Sequence, residues 1–271
     1  SIKDLSLDLP VDKGLYAITG ENATGKSTIA MCAASLFYHF DTQQYLGKLT
    51  DNSIISFELN GQNQVCTYKS DGNVTKQGHI SVKGFFEGSL IYGNRFRNTS
   101  YNMVRKLNSI IDADIEPADD FIRENLGLLL CNDKTYYHDL FWLKRGLHDK
   151  YHLGGTAFFY MKDGLRIHQA HMSTGENLLL SILHSLKMRI DDRGNLEIPC
   201  VIFLDEIELA LHASSLRRLV IFLKDIANRY NMAIYFSTHS IELIRDIIPE
   251  RIFYLQKFVD GSVDVLTPCY P

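Results

Sequence analysis

The segment GENATGKS at residues 20–27 fits the pattern G-x-x-x-x-G-K-[S/T] without a gap. It follows a short apolar run, GLYAIT at residues 14–19, and precedes a stretch with helical spacing over residues 25–40. A strand, a glycine-rich turn and a helix in this order place backbone N–H groups around phosphate oxygens, and the helix N-terminus favours the negative charge. The segment therefore predicts a phosphate-binding loop, and this context argues against a chance glycine turn.

The predicted ligands of this loop are ATP and Mg²⁺. In loops of this type the lysine, here Lys26, reaches the β- and γ-phosphates, and the hydroxyl of Ser27 binds the metal ion. The residues predicted to bind the nucleotide are Gly20, Asn22, Ala23, Thr24, Gly25, Lys26, Ser27 and Thr28.

A second apolar run, VIFL at residues 201–204, ends in Asp205 and Glu206. A continuous apolar run is typical of a buried parallel strand, and ligands collect at the carboxyl ends of such strands. We expect Asp205 to hold Mg²⁺, directly or through water, and Glu206 to act as general base towards the attacking water. The alternative is a strand that merely ends in two surface acids, and the phosphate loop upstream argues against it.

Two further segments stand beside apolar runs. In STGEN at residues 173–177, Ser173 and Glu176 have the spacing of a capping box before the run LLL. A plain helix start explains this spacing, but a capped helix N-terminus is also an anion site. The segment STHS at residues 237–240 follows another apolar run, and the imidazole of His239 has the chemistry to sense a γ-phosphate.

These four motifs, in this order, resemble those of ABC ATPases. The resemblance implies that STGE is the signature motif, which contacts the γ-phosphate held by the opposite subunit, and that STHS is the switch-histidine segment. It therefore implies a head-to-tail homodimer in which Ser173, Gly175 and Glu176 complete the nucleotide site of the other copy. The expected catalytic residues are Lys26, Glu206 and His239.

One stretch narrows the resemblance further. DEIELALH at residues 205–212 resembles the D-E-P-E-x-x-L-H pattern of the OLD-like and RecF-like soluble ABC ATPases. This group includes many ATPases of antiphage and retron systems. SIKDLSL at residues 1–7 resembles the first strand of the same group. Ile207 and Ala213 stand where proline is common in that group. By this resemblance, dimerisation controls a separate effector, a nuclease or toxin, in antiphage defence.

Three alternatives stay open. A DNA-repair ATPase of the RecF-like kind would be stimulated strongly by DNA. A slow, nucleotide-gated scaffold would hold an effector silent with little turnover. A transporter subunit would need a membrane partner, and its signature typically ends in glutamine.

The predicted fold is α/β, an ABC ATPase head in one domain over residues 1–271. It has a sheet core around the phosphate loop, an antiparallel β lobe at residues 53–91 and a helical insert at residues 99–150 that aligns with nothing known to us. A glutamine-loop equivalent is not obvious. Asn94 or Arg95 could approach the metal or phosphate, and a surface turn is the alternative.

Composition excludes several classes of protein. The net charge of −4 argues against a dedicated nucleic-acid binder, although a local basic strip is compatible with it. Five scattered cysteines without a CxxC pair fit the cytoplasm, and no apolar run approaches the ~18 residues of a membrane span. The chain begins without methionine, so the absence of a leader signal carries little weight. No nuclease or serine-hydrolase constellation is present, so we do not expect this chain to cut nucleic acid or peptide.

Overall fold

The computed structural model describes residues 5–37, 53–69, 71, 73–88, 101–258 and 262–270. Three sequence predictions lie outside these residues. They are the opening residues of the first predicted strand, the glutamine-loop candidates Asn94 and Arg95, and the closing hairpin turn at residues 260–261.

Runs of strands and single helices follow one another along the described chain. The strands are β1 (Gly14–Gly20), β2 (Ser53–Leu59), β3 (Gln62–Tyr68), β4 (Val74–Gly78), β5 (Lys83–Gly88), β6 (Ile115–Pro117), β7 (Leu140–Leu143), β8 (Phe158–Lys162), β9 (Leu165–His168), β10 (Cys200–Asp205), β11 (Met232–Ser237), β12 (Ile252–Lys257) and β13 (Val263–Leu266). The helices are α1 (Lys26–Ala34), α2 (Tyr101–Ser109), α3 (Asp120–Cys131), α4 (Thr174–Asp191), α5 (Ala213–Tyr230) and α6 (Ile241–Ile244).

The chain divides into two compact units, which we call the first and the second unit. The first unit comprises Ser1–Phe86, Arg193–Glu206 and Val220–Pro271. The second unit comprises Glu87–Asp192 and Ile207–Leu219. The main sheet and a smaller three-stranded sheet belong to the first unit, and a four-stranded sheet belongs to the second.

The main sheet has the strand order β13-β12-β1-β11-β10-β5. β1 runs parallel to β11 and β12, and β10 runs parallel to β11. Every residue of β1, β10 and β11 is buried, as their continuous apolar sequences require. Because these three strands are parallel, the phosphate loop, the acidic pair and the STHS segment all follow strands that end at one edge of the sheet.

The β lobe is smaller than the sequence predicted. β2, β3 and β4 form an antiparallel three-stranded sheet that ends at Gly78, and residues 80–82 are not a strand. β5 belongs instead to the main sheet, beside β10. Gly84 makes this pairing possible, since a Cβ atom there would lie 2.0 Å from the carbonyl oxygen of Val201.

The sheet of the second unit has the antiparallel order β6-β7-β8-β9. The β8–β9 hairpin confirms the one predicted on either side of the Asp163-Gly164 turn. The insert differs from the mostly helical prediction, because it contributes β6 and β7 as well as α2 and α3. β7 pairs with β6 on one side and on the other with β8, which lies beyond the predicted insert, and local helical spacing does not reveal such a pairing. Among the described residues, no helix combines the length and apolarity needed to cross a membrane.

A buried carboxyl group lies in the second unit. Glu87, near the end of β5, accepts a hydrogen bond from Ser185 of α4 at 3.2 Å, and Ser181 of the same helix also bonds to it. Burial raises the pKa of Glu87 from 4.5 to about 7, since loss of solvent disfavours the charged form more than the two hydroxyls favour it. The folded protein therefore holds this proton more tightly than the unfolded chain.

Glu87→Gln should make stability less dependent on pH. Because the pKa of Glu87 is raised on folding, its stability contribution is fully present below pH 4.5 and is lost as pH rises through about 7. Between pH 5 and 8 the wild-type free energy of unfolding should lose about 2–3 kcal/mol that the glutamine variant keeps. Urea denaturation at several pH values measures this, with Glu58→Gln on the exposed side of β2 as control. An equal pH slope in the wild type and Glu87→Gln would contradict the assignment.

Candidate functional site

The loop between β1 and α1 has the backbone shape of a phosphate loop. Gly20, Ala23 and Gly25 have positive φ angles of 143°, 62° and 101°. At Gly20 a side chain would also collide with the neighbouring strand, because a Cβ atom would lie 2.4 Å from the carbonyl oxygen of Leu255 in β12. Glycine at the first position is thus required twice, by its φ angle and by the close approach of β12.

Lys26 opens α1 and is buried within the loop. Its Nζ atom donates to the carbonyl oxygens of Gly20 and Glu21, at 3.2 and 2.9 Å. The hydroxyl of Thr24 donates to the same Glu21 carbonyl at 2.9 Å, and Thr24 is almost fully buried. These bonds keep a positive charge inside the loop, next to the N-terminus of a helix. Asn22 and Ala23 are exposed, and Gly25, Ser27 and Thr28 are half-buried.

Asp205, the last residue of β10, joins the loop to the sheet edge. Its Oδ1 atom accepts a hydrogen bond from the hydroxyl of Ser27 at 3.0 Å and a second one from the hydroxyl of Ser237. Asp205 is only 5% exposed. Ser27 and Asp205 supply hard oxygen atoms side by side, the ligand type that Mg²⁺ prefers, so the residues present fit this ion.

Ser237, the last residue of β11, contacts both acidic residues. Besides the side-chain bond to Asp205, its carbonyl oxygen accepts the N–H of Glu206 at 2.9 Å. Glu206 has a φ angle of 48°, a left-handed conformation that costs free energy for a residue with a Cβ atom. The bond that Glu206 donates to the Ser237 carbonyl holds the chain in that bend directly after β10. In the sequence Ser237 is only the first residue of the STHS motif, and its contact with Asp205 follows from the strand register, in which Asp205 lies opposite Ser237.

The switch-histidine segment is anchored to β1. The N–H of Thr238 donates to the carbonyl oxygen of Ile18 at 3.0 Å, and the Thr238 hydroxyl accepts from the N–H of Ser240 at 2.9 Å. Thr238 is fully buried, whereas His239 is exposed. The first unit thus brings Lys26, Ser27, Asp205, Glu206 and His239 to strand ends at the same edge of one sheet.

The predicted signature lies in the second unit, at the N-terminus of α4. The capping box is confirmed, since Ser173 accepts from the N–H of Glu176 and the Glu176 carboxylate accepts from the N–H of Ser173. Ser173 is exposed and Gly175 is buried. A Cβ atom at Gly175 would lie 2.9 Å from the carbonyl oxygen of Ala210. The glycine therefore allows the backbone at Ala210 to pack closely against the first turn of the helix.

Asn177 is a structural residue of this motif that sequence reasoning missed. Its Nδ2 atom donates to the carbonyl oxygens of Gln169, Met172 and Ser173, at 3.1, 3.2 and 3.0 Å. The side chain is fully buried. It therefore fixes the turn that leads into the signature, and a polar residue directly before the apolar run LLL at residues 178–180 was the available sequence signal.

A protein-family comparison matches residues 84–245 of this chain. The family is described as "AAA domain, putative AbiEii toxin, Type IV TA system". The matched range covers more than half of the 271 residues and includes the signature, the acidic pair and the switch-histidine segment. No curated protein matches the chain.

Solved structures with a similar fold include heads of SMC proteins. One is the SMC head domain with an extended coiled coil bound to the C-terminal domain of ScpA, derived from Pyrococcus furiosus. Its TM-score is 0.58 at 10% sequence identity, and the match covers 95% of this chain and 91% of that one. An SMC head bound to the C-terminal winged-helix domain of ScpA has a TM-score of 0.55 at 13% identity, over 95% and 91%. At these identities the likeness is one of fold, and it confirms the predicted α/β head.

Ser237→Ala should weaken binding of Mg²⁺ about tenfold, because hydrogen bonds behind a metal ligand hold it in position. The affinity is measured by titrating Mg²⁺ into protein saturated with a non-hydrolysable ATP analogue, and nucleotide binding without metal should stay unchanged. The matched control is Ser35→Ala, which removes a buried hydroxyl that donates to the carbonyl oxygen of Cys32. Equal Mg²⁺ affinity in the two variants would show that Ser237 does not orient Asp205.

Proposed function

The chain belongs to the AAA-domain family associated with AbiEii toxins and type IV toxin–antitoxin systems, and we propose that it binds and hydrolyses ATP with Mg²⁺ in a head-to-tail dimer. Closing and opening of this dimer controls a partner effector. The geometry at the ends of β1, β10 and β11 supports the hydrolytic part of the proposal. The motif at the start of α4 supports the dimeric part.

The observation that carries the proposal is the bond between Ser27 and Asp205. These residues are 178 positions apart in the sequence, and their side-chain oxygens lie 3.0 Å apart. A phosphate loop whose serine meets the acid at the end of a neighbouring parallel strand provides both a phosphate cradle and a metal position. This combination is what phosphoryl transfer from ATP requires of a protein, since catalysis depends on positioning and charge stabilisation.

The residues have separate roles in the proposed reaction. The loop amides and Lys26 bind the phosphates, while Ser27 and Asp205 hold Mg²⁺, which neutralises charge on the phosphate oxygens when bound. Glu206 accepts a proton from the attacking water as general base. His239 is exposed at the same sheet edge and senses the γ-phosphate.

The predicted signature at the N-terminus of α4 supports the proposed dimer. In the proposed assembly, Ser173, Gly175 and Glu176 of one copy meet the γ-phosphate bound by the other. The N-terminus of an 18-residue helix, preceded by an exposed serine, is well suited to an anion because its first N–H groups and its dipole both favour negative charge. Binding of ATP would then stabilise the closed dimer, and hydrolysis would release it.

The proposed effector is a toxin or nuclease, in antiphage defence. The family description links such domains to a type IV toxin–antitoxin system, and this link supports a role in controlling a toxin. The solved SMC heads of the same fold are bound to a protein, ScpA, and that precedent supports control of a protein partner. We place the activity in the cytoplasm, and the five unpaired cysteines support this location.

Glu206→Gln should trap an ATP-bound dimer. Without its general base the site binds ATP but loses hydrolysis by a factor of about 10² to 10⁴, so the closed state accumulates. Light scattering should show a doubled mass for this variant with ATP and Mg²⁺, and a single-chain mass without nucleotide. Steady-state phosphate release measures the loss of turnover.

The control is Glu197→Gln, an exposed carboxylate in the turn before β10, which should behave as wild type. A mass for Glu206→Gln that ATP and Mg²⁺ leave unchanged would overturn ATP-driven dimerisation of this chain. Strong stimulation of the wild-type ATPase by duplex DNA would favour the DNA-repair alternative over control of a toxin.

A further inference from the structure

A tyrosine from the predicted insert contacts the signature. The hydroxyl of Tyr137, in the turn between α3 and β7, donates to Oε1 of Glu176 at 2.7 Å. The other carboxylate oxygen, Oε2, accepts the N–H of Ser173 at 2.6 Å. Both oxygens of Glu176 therefore have donors, one inside the capping box and one outside it.

Tyr137 is held rigidly in place. Its side chain is only 3% exposed, and its ring centroid lies 5.0 Å from that of Tyr136 and 5.0 Å from that of Tyr160. Burial, together with donation to Glu176, raises the pKa of the Tyr137 hydroxyl well above its ordinary range. The hydroxyl consequently stays protonated and stays a donor at every physiological pH.

We propose that Tyr137 is a positioning residue of the nucleotide site. It fixes the Glu176 carboxylate, and this carboxylate in turn fixes the N–H of Ser173. The Ser173 hydroxyl and the first helical turn are thereby directed towards the γ-phosphate of the other copy. Tyr137 acts through Glu176 and does not itself touch the nucleotide. This inference rests on the proposed function, and it gives the insert a role, which is to support the signature.

The bond has a clear thermodynamic consequence. A carboxylate that lacks the Tyr137 donor is free to adopt other rotamers, so the capping box is formed for less of the time. Binding of ATP to the phosphate loop of a single chain does not involve Glu176 and stays unchanged. Only the step in which the signature meets the phosphate becomes weaker.

Tyr137→Phe removes the hydroxyl and keeps the ring. In the Glu206→Gln background, the protein concentration that gives half-maximal ATP-dependent dimer should rise about tenfold, the usual size for a hydrogen bond to a charged group. Light scattering over a dilution series measures this shift. Binding of a fluorescent ATP analogue, at protein concentrations too low for dimerisation, should be the same with and without the substitution.

The matched control is Tyr160→Phe. Its hydroxyl lies in the same aromatic cluster but donates to the backbone carbonyl of Tyr136, at 3.1 Å. This variant should dimerise like the parent. A thermal melt of each variant tests whether the fold is retained. Glu176→Ala, which alters a half-buried side chain, is a second test variant, and it should weaken ATP-dependent dimerisation as Tyr137→Phe does.

A double-mutant cycle tests whether Tyr137 acts through Glu176. In the Glu176→Ala background, Tyr137→Phe should cause no further loss, because the bond it would break is already gone. Additive effects would overturn the inference, as would equal dimerisation of Tyr137→Phe and Tyr160→Phe. Either result leaves the dimer proposal intact when the Glu206→Gln parent doubles in mass. A parent that does not dimerise contradicts the proposed function and the inference together.

Discussion

The carboxylate of Asp205 accepts hydrogen bonds from Ser27 and Ser237, and this requires three strands to end, and one helix to begin, at the same edge of the sheet. β1 must deliver the phosphate loop, β10 the acid and β11 the serine, all at the carboxyl edge of a parallel sheet. Continuous apolar sequences in these strands bury them on both faces and so fix that register. The position of a metal ion, and of the water that Glu206 would activate, depends on this alignment.

The backbone around this edge takes up conformations that residues with a Cβ atom rarely adopt. Gly20 turns with a positive φ angle under the carbonyl of Leu255, and Glu206 takes up a left-handed bend against the carbonyl of Ser237. Strain of this kind persists only where surrounding structure determines it, and such positions concentrate at functional sites. In the second unit, Gly175 has an ordinary φ angle, and its constraint is the close approach of the Ala210 carbonyl. The motif glycines thus serve different physical needs.

Sequence reasoning located the groups whose chemistry is local. The phosphate loop, the acidic pair and the capping box are read from spacing within eight residues. The structure confirms the capping box and the strand–turn–helix order around the phosphate loop. The family match confirms an ATPase-type AAA domain over residues 84–245, and the solved SMC heads share its fold. Pairings between distant segments were not predictable in the same way. β5 depends on β10, β7 depends on β8, and Tyr137 is 39 residues from the Glu176 it contacts.

The central claim is that each active site combines a phosphate loop from one copy with a signature from the other, and mixing two inactive variants tests it directly. Lys26→Ala removes the phosphate contact, while Ser173→Asp keeps a good helix cap and repels the phosphate. Each variant alone should be inactive. A composite site predicts that an equal mixture regains about a quarter of wild-type turnover, because half of the random pairs contain one intact site out of two. A mixture that forms mixed dimers and shows no turnover would contradict the account, since it would mean that both motifs of a site come from the same chain.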